Sequence, residues 1–241
     1  MTDSASVRAS ERPVKPFEPV ASPLHTIGLL LIIAAVGYFA YRMIHPMPAA
    51  RANHLFSYSA SIVWEWAAVG YIAWGIRRTG KSLRDLVRGS WQTVRGFLVD
   101  LGIAFGFWLA ALVVLGILNH FLHASGSREA ARALAPQGPL ESLLWVALST
   151  TAGFCEEVIF RGYFQRQLGA WTRNAPAGVV LSAALFGAAH AYQGSRGTLL
   201  IGAFGLMFGI LAESRRSLRP GIMVHAWHDT ITGLLMRFVP K

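Results

Sequence analysis

The chain has 241 residues, 54% of them apolar and only 14% charged, with a formal net charge of +10 and a mean hydropathy of +0.43. That balance excludes a disordered polymer and an ordinary water-soluble domain. It also argues against nucleic acid as the partner of the positive charge, because the basic residues fall in short gaps between apolar runs and not in a polar domain. Cys155 is the only cysteine, so a disulfide framework and a cysteine metal knuckle are excluded too, and in an apolar helix it reads as a small hydrophobe.

Residues 1–23 are polar, rich in proline and balanced in charge, and read as a flexible cytosolic tail. From Leu24 to Val239 apolar runs of about 20 residues recur, the length at which a helix crosses a bilayer. The first, Leu24 to Ile44, is too long for a signal-peptide core and is expected to be retained. The second, about Phe56 to Ile76, carries Trp64-Glu65-Trp66; Glu65 either lines the interior or lies near an interface among the tryptophans. Arg77 to Arg95 holds six basic residues and one acid, Asp85. The third run, about Phe97 to Leu118, has Gly102 and Gly106 at the spacing that lets helices approach closely. Asn119 to Pro139 is polar, with a short amphipathic helix expected at Arg128–Leu134.

A fourth run starts near Leu140, with a helical pattern that continues to about Trp171. The fifth spans about Ala177 to Tyr192, the sixth about Thr198 to Ala212, and the seventh about Gly221 to Phe238. The sixth includes Gly205 and Gly209 in a second small-xxx-small pair; no G-x-G-x-x-G occurs, so it is not a phosphate loop. With the amino terminus inside, 15 of the 22 basic residues fall on the inner side, Arg161 counted among them. The charge asymmetry therefore favours seven spans with the amino terminus in the cytosol. The fold class expected is an all-α polytopic membrane helix bundle. It divides into the polar tail 1–23, amino-terminal transmembrane helices 24–139, and a core 140–241 holding the active site among its last four helices.

Ionisable groups concentrate in that core. Gly153-Phe154-Cys155-Glu156-Glu157-Val158-Ile159-Phe160-Arg161-Gly162 puts two carboxylates and an arginine in apolar surroundings. Each such group costs roughly 2.5–3.5 kcal/mol at the centre of a membrane helix, so the cluster is a functional-site hypothesis by default. Glu157 and Arg161 are i and i+4 and can pair, while Glu156 is turned about 100° away toward another neighbour. Phe186 and His190 share a face, as do His225 and Asp229. Three helices thus offer a free glutamate, a histidine, and a histidine–aspartate pair. If they converge, they have the parts to activate a water and stabilise an oxyanion. Ser149 and Ser182 lack a G-x-S-x-G elbow, and no HExxH is present. Two chemistries remain open: direct water activation by Glu156 and His190, or a divalent metal such as zinc held by Glu156, His190 and His225 with a glutamate as base.

Glu156-Glu157-x-x-x-Arg161, Phe186-x-x-x-His190 and His225-x-x-x-Asp229 resemble the three motifs of the CAAX-protease and bacteriocin-processing family, the type II CAAX prenyl endopeptidase-like intramembrane proteases. The gaps are 34 residues from Glu156 to His190 and 35 from His190 to His225, and the resemblance covers roughly residues 140–237. It implies an intramembrane endopeptidase with Glu156 as water-activating base assisted by His190. It implies that His225 and Asp229 stabilise the oxyanion or complete a metal site, and that Glu157 and Arg161 orient the motif. The expected partners are the lipid bilayer and a membrane-embedded or lipid-associated peptide, with no nucleic acid, and the expected location is a bacterial inner membrane. A non-catalytic immunity or scaffold protein of the same fold, or a proton-coupled transporter, are the competing readings.

Overall fold

The computed structural model describes residues 17–44, 53–122, 134–236 and 238. The amino-terminal tail up to residue 16 and, but for Leu134, the helix expected at Arg128–Leu134 lie outside them. Among the described residues there are helices and turns and no strand. In chain order the α-helices are α1 (Pro23–Ile44), α2 (His54–Arg77), the short α3 (Leu83–Val87), α4 (Val94–Leu122), α5 (Pro139–Glu156), α6 (Gln165–Thr172), α7 (Ala175–Ala189), α8 (Gly194–Arg215) and α9 (Arg219–Met236). Between α5 and α6 the chain stays helical but widens into a π-helical segment, Glu157–Phe164.

Local chemistry sets the boundaries. Asn53 and Asn174 begin α2 and α7 by accepting hydrogen bonds from the backbone N–H of Phe56 and Ala177, at 3.1 and 2.9 Å. Prolines open α1, α5 and α7, where no backbone donor is needed. Arg173 and Arg216, both in left-handed conformation, end α6 and α8.

Among the described residues four segments are long and apolar enough to cross a membrane: Pro23–Arg42, Val94–Leu122, Pro139–Thr172 and Ala191–Arg215, with Ala175–Ala189 a shorter apolar helix. The α2 and α9 helices, counted among the seven runs read from sequence, are not in that set. Polar residues such as His54 and Glu65 in α2, and His225, His228 and Asp229 in α9, dilute them. The bundle is all-α and of membrane type.

One end of the bundle gathers several helix termini. Gln167 of α6 receives the backbone N–H groups of Val20 and Ala21 and donates to the Ala21 carbonyl. Thr79 donates to Val20 O at 2.9 Å, Arg166 to Asp85 O at 2.6 Å, and the Leu218 N–H to Val87 O at 3.0 Å. Buried Asp100 at the start of α4 accepts from Trp91 Nε1 at 2.9 Å and pairs with Arg219 at 3.2 Å. The α2 and α5 helices lie side by side and parallel. His54 bonds Glu141, Tyr58 packs on Trp145 and Trp66 stacks on Phe154, a constant offset of 87 or 88 residues. The largest apolar core joins Leu29 of α1, Val69 and Ile72 of α2, and Val158, Ile159 and Tyr163 of the π-helical segment.

Candidate active site

The π-helical segment carries the first functional residues. Its wider turn is seen in the bond from the Gln165 N–H to Phe160 O, five residues back. All eight of its residues are buried. Glu157 and Arg161 nonetheless meet across it, Nη1 to Oε1 at 2.9 Å, and the other guanidinium nitrogen donates to the Gly205 carbonyl of α8 at 3.2 Å. The guanidinium also lies over the rings of Phe186 (4.3 Å) and Phe208 (5.1 Å). Arg161 therefore belongs to the site's interior. Its place among the inner-side charges is corrected: its charge is matched by buried Glu157 and not by water or lipid headgroups.

His190 ends α7. The helix stops at Ala189, three residues before the end expected at Tyr192, and turns through Ala191–Gln193 to Gly194 at φ +83°. At that break the His190 Nδ1 donates to Phe186 O at 2.9 Å, satisfying a carbonyl at the helix terminus. A backbone carbonyl only accepts, so Nδ1 carries a proton, and Nε2 is the nitrogen turned toward Glu156. The Phe186 ring walls one side of the imidazole edge-on, at 4.8 Å.

The third contributor is α9, which comes close to α5 because Gly153 has no side chain; a Cβ there would meet the Ala226 backbone nitrogen at 2.6 Å. His225 Nδ1 donates to Glu157 Oε1 at 3.1 Å. Its Nε2 faces Glu156 at 3.5 Å and Asp229 at 3.6 Å. Glu156 reaches His190 Nε2 with its other oxygen, at 3.7 Å.

All six residues singled out from the sequence are thus brought together, running from Arg161 through Glu157, His225 and Glu156 to His190, with Asp229 beside His225. The structure adds two supports: Trp145 Nε1 donates to the Asp229 carbonyl at 2.9 Å, and the Gly205 carbonyl holds Arg161. Glu65 of α2, singled out in the sequence, is buried. The Gly205 signal was present in the sequence, as a packing glycine.

Residues 138–231, running from the start of α5 well into α9, match the family model described as Rce1-like, type II CAAX prenyl endopeptidase. That segment, less than half of the chain, is similar to the family. That similarity and the four apolar spans support an integral membrane protein. No curated protein and no solved structure matches the chain.

Glu156, His190 and His225 were also candidates for a metal ion. They are neighbours, but among the described residues no three His, Cys, Asp or Glu side chains are arranged to hold one. Cys155 is buried beside Glu156 without a hydrogen-bonded base. An apolar groove of about 560 Å³ runs between α1 and α7, lined by Leu30, Ala34, Tyr38, Phe164, Leu185 and Tyr192. It holds none of the six site residues but flanks His190 through Ala189 and Ala191.

Proposed function

We propose that the protein is an intramembrane endopeptidase that hydrolyses a peptide bond of a membrane-associated protein or peptide. The observation that carries this reading is the Glu156 carboxylate lying between two imidazole Nε2 atoms, at 3.7 Å to His190 and 3.5 Å to His225. Those separations are longer than hydrogen bonds, so Glu156 is not consumed by either ring.

A water in this site gives one proton to Glu156 and is oriented by His190 Nε2. Its oxygen then attacks the carbonyl carbon of the scissile bond. The carbonyl oxygen becomes an oxyanion facing His225. For that role His225 carries a proton on each nitrogen: Nδ1–H is held by Glu157 and Nε2–H donates to the oxyanion. Asp229, next to the same Nε2, keeps that ring in place before the oxyanion forms. Collapse of the tetrahedral intermediate breaks the C–N bond, and Glu156 returns its proton to the leaving amine. The basic end of the bundle, with Arg77, Arg78, Arg215 and Arg216 exposed, supports an orientation with this end and the amino terminus in the cytosol of a bacterial inner membrane.

The test compares membranes bearing the native chain with membranes bearing Glu156→Gln, mapping peptide termini by mass spectrometry. Glutamine keeps the shape and removes the base. A defined set of termini that disappears in the variant is expected. Identical termini from a folded variant would reject Glu156 as the base and favour a peptide-binding protein.

A further inference from the structure

Two contacts between α5 and α9 bracket the reacting groups. At Gly153 the α5 helix has no side chain, and the Ala226 backbone of α9 fills the space. At Gly233 the roles reverse: α9 has no side chain, and a Cβ there would fall on the Trp145 indole of α5. Trp145 and Gly153 are eight residues apart, Ala226 and Gly233 seven. Those stretches of helix rise about 12 and 10.5 Å, so α5 and α9 run antiparallel and stay in register from one contact to the other. Asp229 lies between the contacts, and Glu156 and His225 lie just beyond the first.

The contact at Gly153 is a close approach; the one at Trp145 is also directed. Within α9 the Asp229 carbonyl accepts the helical bond from the Gly233 N–H. Its second lone pair accepts from Trp145 Nε1 at 2.9 Å. The indole reaches that carbonyl because Gly233 leaves the next turn of α9 bare. The ring is held from behind as well. Buried Tyr58 of α2 packs edge-on against it at 5.4 Å, and the Tyr58 hydroxyl donates to Leu134 O. A side chain fixed on both sides can set the position of the group it bonds.

We propose that Trp145 is a positioning residue that acts through Asp229. By holding the Asp229 carbonyl it fixes how far α9 slides along α5. That slide sets the Asp229 carboxylate at 3.6 Å from His225 Nε2 and the same Nε2 at 3.5 Å from Glu156. The inference rests on reading Glu156 and His225 as the groups that carry out the chemistry.

The test follows the His225 imidazole by nitrogen NMR in the full chain, histidine-labelled and in micelles, with its signals assigned by their loss in His225→Gln. Trp145→Phe keeps an aromatic ring and removes the donor. It is expected to shift the His225 signals and to lower kcat about tenfold, with KM little changed, on a peptide whose cleavage Glu156→Gln abolishes. Gly233→Ala, which displaces the indole, is expected to do the same, and to add nothing in a Trp145→Ala background. Lower stability with His225 signals that coincide with the native ones would make Trp145 a packing residue only and overturn the proposal. An effect of Gly233→Ala that is as large without the indole as with it overturns it too. Should Trp145→Phe fail to fold, benzothienylalanine at position 145, which has the indole's shape without its N–H, is read by the same signals and the same criterion. The NMR signals need no turnover, so failure here is distinct from failure of the protease reading, which shows as unchanged termini in Glu156→Gln.

Discussion

Arg161 and His225 donate to the same oxygen: Glu157 Oε1 accepts from Arg161 Nη1 at 2.9 Å and from His225 Nδ1 at 3.1 Å. One buried carboxylate therefore ties the π-helical segment to α9 and orients the imidazole that faces Glu156. The same contact gives Glu157 a role distinct from its neighbour's. Glu156 is partly accessible and unbonded, Glu157 is enclosed and bonded twice.

Removing Arg161 leaves Glu157 buried beside a histidine alone. Breaking one half of a buried pair costs roughly 3–5 kcal/mol. Arg161→Ala is expected to lower the thermal unfolding midpoint in detergent well beyond the shift of an exposed arginine such as Arg77. Adding Glu157→Gln to it should recover part of the loss, because the uncompensated charge is gone. A single variant that melts with the native chain would contradict the pairing.

Gly153 tests the approach of α5 and α9. An alanine there places its Cβ against backbone, the Ala226 nitrogen, which cannot rotate away. The helices must part, at a cost of about 1–3 kcal/mol for overpacking. Parting them also draws His225 from Glu156, so Gly153→Ala is expected to lose activity and stability together. Gly102→Ala, with open space at its Cβ, is the control and should change neither.

Spacing made the pairings within one helix legible. Glu157–Arg161, Phe186–His190 and His225–Asp229 are each four residues apart, and each pair is in contact. What spacing did not carry is the partner across helices. The i, i+4 pattern put Asp229 on the His225 face, while the bonded partner of Nδ1 is Glu157, 68 residues away. The π-helical widening was hidden for a related reason. A backbone bond that reaches five residues back instead of four leaves no compositional mark. The span count was hard to read because α2 and α9 mix apolar residues with the polar ones they turn inward.

At the basic end, Asp85 closes a capping box on α3. Its carboxylate accepts from the Ser82 hydroxyl at 2.8 Å and the Ser82 N–H at 2.7 Å, and these bonds hold its carboxyl below the ordinary aspartate value of 3.8. A depressed pKa gives stability that is present above 3.8 and is lost as pH falls through the lower folded value. Asp85→Asn should therefore flatten the acid limb of a stability profile below about pH 4. Ser82→Ala should move the Asp85 titration, followed by NMR, back up toward 3.8. A Ser82→Ala titration that coincides with the native one would reject the bond as the cause.

The most direct test of the site's geometry shortens its base by one methylene. Glu156→Asp keeps the charge, so any electrostatic or folding role of a carboxylate at this position is preserved. It withdraws both oxygens from the two imidazoles, which are already at 3.5 and 3.7 Å. A water held between Glu156 and His190 Nε2 would then lose one of its two acceptors at the attacking distance. Misplacement by about 1 Å costs on the order of a hundredfold in rate where position is critical. The expectation is a fall of about that size in kcat on whichever peptide the Glu156→Gln comparison identifies, with KM little changed. Activity close to the native level would mean that Glu156 acts only as a fixed charge. The base would then have to be sought at another carboxylate of the cluster.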